Sequence, residues 1–305
     1  MDDQPEKPLL PLRIAGVPEP YNTPWRLGID RRAFLRAGID LQWTDVGEGT
    51  GRMCRMLAAG ETDLAVLVTE GAVRDIANGG EERIIGAWVE SPLTWGVHVP
   101  GNSSVRTVDD LRDAPYLVSR MNSGSHVMGM LHAQRLGRAT TSADFEVVND
   151  LSGALARMAD DRPCAFLWDT FVTAKHVTSG TMRVVDEYRP EWPAFVVVAR
   201  PEVVEQHPKT IATVMKIARD QASGFAIGKN AAQVLADRYG ADPLHAAMWL
   251  QHTKWSHDGA LPESAVATVA KALHGVALVP GTVDEAVARV MASVAYPVAP
   301  KRASR

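Results

Sequence analysis

Short apolar runs alternate with amphipathic stretches twice along this chain, and this rhythm limits the possible fold more than any other feature. The first series runs from Leu12 to Val89 and the second from about Tyr116 to Val185. Such alternation is typical of βαβ units, which build a parallel sheet covered by helices. Two extended apolar runs, Trp95 to Pro100 and Pro193 to Ala199, flank the second series. They are predicted to cross between the parts of the molecule that the two series form. From Pro201 onward the pattern predicts helices with Ala-rich apolar faces.

The chain is therefore predicted to be an α/β protein with two wound sheets joined by two crossings. Its length of 305 residues also exceeds what one core usually organises, which favours two lobes. Two such lobes leave a cleft between them, and open α/β sheets bind ligands just beyond the carboxyl ends of their strands. We therefore expect the functional residues to follow the strands.

Charge and cysteine content exclude several classes of protein. Thirty-two Lys and Arg against 36 Asp and Glu give a net charge of -4, so the expected partner is a small molecule and not a nucleic acid. No window approaches the about 18 apolar residues of a spanning helix, so membrane insertion is not expected. Cys54 and Cys164 lie far apart and lack zinc-site spacing, so we predict no metal and no cofactor.

Three predicted strand ends of the first series carry candidate ligand contacts. The loop from Val17 to Trp25 leads two aromatic rings toward a helix start, or it is a capped turn with Trp25 in the core. The segment from Gly47 to Arg52 has glycines that let backbone N–H groups approach a ligand, and it lacks the Gly-Lys-Ser/Thr of a nucleotide-binding loop. Thr69 and Glu70 open a helix, either as an N-cap with an acid in the first turn or as ligand contacts.

In the second series the most informative stretch is Ser123-Gly124-Ser125, where a strand passes into a helix. Its hydroxyl and N–H groups could bind a carboxylate, sulfonate or phosphate oxygen, or they could cap the helix without a ligand. Further on, Trp168 and Asp169 end another strand. Four tryptophans at loops or crossings, with acids nearby, suit a flat, partly cationic heterocycle: Trp25, Trp95, Trp168 and Trp192. The pattern does not rank the anionic and aromatic halves of such a ligand.

These blocks, in this order, carry a family resemblance over about Leu12 to Ala199. They are Gly47 to Met53, Thr69 to Gly71, Val89 to Leu93, Ser119 and Arg120 with Ser123 to Met128, Trp168 to Phe171, and Trp192 with Pro193. The chain resembles the type 2 periplasmic-binding-protein superfamily. The similarity is to its branch of nitrate, alkanesulfonate and thiamine-precursor binding proteins, and within that branch to a group without signal peptides found in bacteria and fungi.

The resemblance implies a two-lobe clamp that buries its ligand by closing about a hinge. It implies that lobe I comprises residues 1–91 and 200–305, that lobe II comprises 96–195, and that the hinges lie near 92–97 and 193–199. The ligand-binding positions that it implies are Thr23, Trp25, Glu48, Thr50, Thr69, Glu70, Ser123, Gly124, Ser125, Trp168 and Asp169.

The resemblance also implies a non-catalytic solute-binding protein for a heteroaromatic, sulfonate or carboxylate ligand. It would act as the receptor of an ABC permease or as a cytoplasmic carrier or sensor. The N-terminal residues lack a signal-peptide pattern and a lipobox cysteine. The expected location is therefore the cytoplasm as written, or the periplasm if a leader was removed.

The alternative is an enzyme on the same scaffold, because relatives in the superfamily include desulfinases, menaquinone-pathway lyases and fungal thiamine-pyrimidine synthases. Cys54, near Arg52 and Arg55, is the candidate nucleophile, although a buried packing thiol also fits its position. His126 is a candidate base for the neighbouring serines. Lys175 is the candidate for a Schiff base.

Overall fold

A computed structural model describes residues 9–295 of the protein and shows two five-stranded sheets, each with βα units. Residues 1–8 and 296–305, which the predicted lobe I includes, lie outside the described residues. The predicted fold class, two wound α/β sheets connected twice, is confirmed. No helix within residues 9–295 is both long and apolar enough to span a bilayer.

The first sheet has the strand order β2-β1-β3-β10-β4. Its strands are β1 (Leu10–Gly16), β2 (Ile39–Asp45), β3 (Leu64–Val68), β4 (Arg83–Val89) and β10 (Phe195–Ala199). Strand β1 pairs in parallel with β2 and β3, whereas β10 runs antiparallel between β3 and β4. Every residue of β10 is buried, as expected for an interior strand covered on both faces.

The second sheet repeats this plan with the order β7-β6-β8-β5-β9. Its strands are β5 (Trp95–Pro100), β6 (Tyr116–Val118), β7 (Phe145–Val147), β8 (Ala165–Asp169) and β9 (Met182–Tyr188). Strand β6 pairs in parallel with β7 and β8, and β5 is the antiparallel partner of β8 and β9.

Helices connect and cover the sheets. In the first half of the chain they are α1 (Thr23–Asp30), α2 (Thr50–Ala58), α3 (Thr69–Ala77), α4 (Gly124–Arg135), α5 (Leu151–Met158) and α6 (Thr170–Thr178). The C-terminal helices are α7 (Pro201–Gln206), α8 (Pro208–Ala226), α9 (Ala231–Tyr239), α10 (Pro243–His252), α11 (Glu263–Gly275) and α12 (Val283–Ser293).

The C-terminal helices contact both halves of the molecule. Helix α8 packs on α1, and α11 and α12 pack on α3, all beside the first sheet. Helix α10 reaches α6 of the second half, where the rings of Trp249 and Phe171 lie 5.1 Å apart between centroids. The helical segment is therefore also a bridge between the sheets.

The two predicted crossings differ from the structure. Strand β5 occupies all of Trp95 to Pro100 inside the second sheet, and β10 occupies Phe195 to Ala199 inside the first. The chain passes between sheets in the short segments 90–94 and 189–194. The physical reason is that a continuous apolar run buries best as an interior strand, and a few residues suffice to connect the sheets. The division into lobes and the hinge motion stay predictions.

Candidate ligand-binding site

A cavity lies between the sheets, at the carboxyl ends of β1, β2 and β3 on one side and of β6 and β8 on the other. It encloses about 810 Å³ of space free of protein atoms, part of it continuous with solvent. The loops after these strands line it, as the rule for open α/β sheets predicts. The predicted residues among those lining it are Glu48, Thr50, Glu70, Ser123, Gly124, Ser125, Trp168 and Asp169. Their contact with a ligand stays a prediction.

Three predicted residues are not part of the cavity lining. Thr23 and Trp25 face the core from α1, where Trp25 is fully buried and stacks on Phe34 at a centroid distance of 6.1 Å. The alternative of a turn with Trp25 in the core therefore describes this loop. Thr69, at the start of α3, is fully buried, and its backbone N–H donates to the carbonyl oxygen of Ala194 at 3.0 Å. The hydroxyl of Thr23 lies 3.1 Å from that of Tyr239, and the buried hydroxyl of Thr69 has no hydrogen-bond partner within residues 9–295.

Glu70 is the most unusual lining residue. It is 3% exposed, and its Oε2 accepts a hydrogen bond from the indole Nε1 of Trp192 at 3.0 Å. The other oxygen, Oε1, is buried without a hydrogen-bond partner among the described residues. Burial raises the pKa of Glu70 to about 7, against the opposing effects of the hydrogen bonds and of Arg74. Glu70 therefore offers the cavity an acceptor whose protonation is balanced near neutral pH.

Two further acids face the same cavity. Asp169 accepts hydrogen bonds from the hydroxyl of Tyr21 and the backbone N–H of Val172, both at 3.0 Å. Burial raises the pKa of Asp169 to about 6. Glu19 is half-buried in the lining, and desolvation together with the charge of Asp169 raises its pKa to about 8. A cation or a strong hydrogen-bond donor in the cavity would compensate these carboxylates.

The start of α4, on the same side of the cleft as Asp169, is suited to an acceptor or an anion. The hydroxyl of Ser125 accepts from the N–H of Ser119 at 3.0 Å, and that of Ser123 caps α4 through the N–H of His126 at 3.4 Å. These contacts fix the turn at the N-terminus of α4, whose first N–H groups have no intrahelical acceptor. Arg120 also lines the cavity, and burial lowers the pKa of its guanidinium.

Aromatic rings complete the cavity. Trp95 is 6% exposed, lines the cavity, and has no hydrogen-bond partner for its buried Nε1 among the described residues. A Cβ on Gly124 would lie 3.0 Å from Cη2 of Trp95, so the glycine leaves room for this ring. Trp168 stacks on Phe166 at 5.0 Å between centroids. The cavity thus combines flat apolar surface with a free indole donor.

Direct contacts join the two sides of the cleft. The Tyr21 hydroxyl reaches Asp169 across it, the Arg74 guanidinium donates to the carbonyl oxygen of Asn122, and Gln134 donates to Gly275 at 3.1 Å. Sequence reasoning did not assign roles to Glu19, Tyr21, Arg74, Arg120 or Asn122. The position of Tyr21 in the loop after the first strand could have marked it as a candidate, but its hydrogen-bond partner, Asp169, lies 148 positions away.

The candidate catalytic residues are outside the cavity lining. Cys54 is buried in α2, and burial together with nearby Asp75 and Glu82 raises the pKa of its thiol. The Nδ1 atom of His126 accepts from the backbone N–H of Asn122 at 3.1 Å, and its ring makes no hydrogen bond to the neighbouring serines in the described structure. Lys175 lines a different groove beside α6.

Comparisons with known proteins agree with this architecture. Residues 95–188 match a family model described as Ca3427-like PBP. The Candida albicans CA3427 gene product, described as showing the generic periplasmic binding protein fold, is similar in structure with a TM-score of 0.87. It is 21% identical, over 94% of this chain and 96% of that one. The chain has the type 2 periplasmic-binding-protein fold.

Two bacterial binding proteins share the fold. The alkanesulfonate-binding protein SsuA from Xanthomonas axonopodis pv. citri, bound to MOPS, has a TM-score of 0.78 at 16% identity, over 95% of this chain and 99% of that one. The nitrate-binding protein NrtA from Synechocystis PCC 6803 has a TM-score of 0.71 at 11% identity, over 92% and 85%. No curated protein sequence matches the chain. The neighbours confirm the predicted type 2 periplasmic-binding-protein fold.

Proposed function

We propose that the protein is a non-catalytic solute-binding protein that encloses one small organic molecule between its sheets. The observation that carries this proposal is a pair of buried polar atoms on the cavity wall that have no hydrogen-bond partner within residues 9–295, Oε1 of Glu70 and Nε1 of Trp95. An unsatisfied buried polar group costs about 1–3 kcal/mol, so a ligand that pairs with both atoms gains that free energy on binding.

The chemistry of the walls selects the class of ligand. Glu70, Asp169 and Glu19 favour a cationic or amine-bearing group, whereas Trp95 and the start of α4 favour an acceptor or anionic group. The rings of the cavity favour a flat molecule between these two ends. We therefore propose a heteroaromatic amine that carries an acceptor or anionic substituent.

Binding of such a cation should depend on pH. Burial raises the pKa of Asp169 to about 6 and that of Glu70 to about 7, and a cation binds the ionised carboxylates better than the protonated ones. Affinity should therefore increase as the pH rises from 5 to 8. A simple sulfonate, by contrast, should bind less tightly at pH 8 than at pH 5.

The test is calorimetric titration of the full chain with three probes: an (aminomethyl)pyridine, whose amine stays protonated between pH 5 and pH 8, a simple alkanesulfonate and the zwitterion MOPS. We expect the (aminomethyl)pyridine to bind with affinity that increases with pH and decreases at least tenfold in Glu70→Gln. Sulfonate binding that is indifferent to Glu70→Gln would contradict the proposed ligand orientation. Turnover of a bound probe that disappears in Cys54→Ala would instead support the enzymatic alternative.

The proposed role is that of the binding component of an ABC transporter or of a cytoplasmic carrier or sensor. The first setting is supported by the description of NrtA as a periplasmic nitrate-binding protein. Fractionation of cells that express the native locus distinguishes them, because a transporter component must be on the outer side of the membrane. Recovery in the cytoplasmic fraction alone would support the carrier or sensor.

A further inference from the structure

Three potential metal-ligating side chains meet behind the wall of the cavity. They are Cys54 in α2, Asp75 in α3 and Glu82 at the entrance of β4, and their ligand atoms all lie within 4.8 Å of one another. A Cβ on Gly80 would lie 2.6 Å from both Oδ2 of Asp75 and Oε2 of Glu82. The absence of a side chain at Gly80 thus allows the two carboxylates to converge.

The two acids of the cluster are paired with each other: Glu82 shares a hydrogen bond with Asp75 and accepts one from its own backbone N–H. Glu82 is 6% exposed, and its Oε1 has no hydrogen-bond partner in the described structure. Within residues 9–295, neither Asp75 nor Glu82 forms a salt bridge. Arg200, which lines the adjoining groove, lies within 3.6 Å of Asp63 and 3.4 Å of Glu202. Two converging carboxyl groups in such surroundings require either a shared proton or a cation.

We propose that Cys54, Asp75 and Glu82 bind one divalent cation of the zinc type. Zinc accepts mixed sulfur and oxygen ligands at about 2.3 Å for Zn–S and about 2.0–2.2 Å for Zn–O, and a water can complete four-coordination. Calcium and magnesium prefer oxygen ligands alone, so the thiol disfavours them. A groove lined by all three side chains supplies a path for the ion.

A cation bound at this site would link α2 and α3, two helices that contribute residues to the lining of the ligand cavity. Helix α2 begins at Thr50 and helix α3 at Thr69, directly before Glu70, and both Thr50 and Glu70 line that cavity. A cation held between Cys54 and Asp75 therefore fixes the spacing of the helix starts from behind. This role is independent of which solute the cavity binds.

The test uses the chelator-treated full chain and Co²⁺, because cobalt bound to a thiolate gives a ligand-to-metal charge-transfer absorption that carboxylates do not give. We expect one equivalent of Co²⁺ to produce this band, Zn²⁺ to displace it, and Zn²⁺ to raise the melting temperature. Cys54→Ala should lose the band. The matched control is Cys164→Ala, which removes the other buried cysteine and should retain it.

Glu82→Gln provides a second variant that keeps the shape of the side chain and the thiol. It should weaken Co²⁺ binding about tenfold or more, while far-ultraviolet circular dichroism reports an intact fold. The proposal is overturned if the wild-type chain gives no charge-transfer band and no Zn²⁺-dependent rise in melting temperature. It is equally overturned if the band persists in Cys54→Ala.

Discussion

Replacing Glu70 by Gln should stabilise the ligand-free protein at pH 8 while it weakens ligand binding. The carboxylate is 3% exposed, and burial raises its pKa from the usual 4.5 to about 7. A raised acid pKa means that the folded state holds the proton more tightly than the unfolded state. Stability from this group is therefore complete below pH 4.5 and is lost as the pH rises toward 7. Above pH 7 the ionised carboxylate of Glu70 lowers the free energy of unfolding by an amount that no longer changes with pH.

The size of the cost follows from the pKa difference. A change from 4.5 to about 7 corresponds to about 3 kcal/mol, at about 1.36 kcal/mol per pKa unit. Glutamine keeps an acceptor for the indole of Trp192 and is never charged. We thus expect Glu70→Gln to exceed the wild type in free energy of unfolding by up to about 3 kcal/mol at pH 8, and by far less at pH 5.

Urea unfolding of both proteins at pH 5 and pH 8 measures this difference. Glu48→Gln is the matched control, because Glu48 lines the same cavity but is exposed, so its neutralisation should change stability little at either pH. An equal effect of Glu70→Gln at both pH values would refute the reasoning, since it would show that ionisation of a buried carboxylate is not the origin of the cost.

Three other substitutions separate binding from stability. Tyr21→Phe removes the hydrogen bond to Asp169 across the cleft and should lower the free energy of unfolding in urea by about 1.5–3 kcal/mol. A smaller loss at pH 4 than at pH 8 would show that the ionised form of Asp169 is the partner. Trp25→Phe should lower the free energy of unfolding by roughly 1–3 kcal/mol without changing the affinity measured by calorimetry. A large loss of affinity would instead show that Trp25 contacts the ligand. Gly124→Val should displace the ring of Trp95 and weaken binding at least tenfold, whereas unchanged affinity would place the ligand elsewhere in the cleft.

Local pattern was sufficient to predict most of the secondary structure. The strand from Arg83 to Val89 and the helix from Thr170 to Thr178 have the bounds expected from the sequence. The local pattern does not indicate which of the two sheets an apolar run joins. The run from Trp95 to Pro100 is extended and apolar in either case, and its antiparallel place beside β8 depends on residues about 70 positions away.

Prediction of the site was limited in the same way. The predicted strand ends were sufficient to place Glu48, Glu70 and the turn at Ser123 at the cavity, because the direction of the strands determines where their loops meet. The hydrogen bond from Tyr21 to Asp169 and the meeting of Cys54 with Glu82 are products of tertiary packing. Neither pair has a spacing that a motif could record.

The hydrogen bond between Trp192 and Glu70 has a practical consequence. Trp192 lies in the return segment between the sheets, so its indole joins that segment to a carboxylate of the cavity. Indole emission responds to a nearby charge, and a ligand that alters the ionisation of Glu70 should shift it. The difference in fluorescence between the wild type and Trp192→Phe would then be an intrinsic optical readout of occupancy, obtained without any added label.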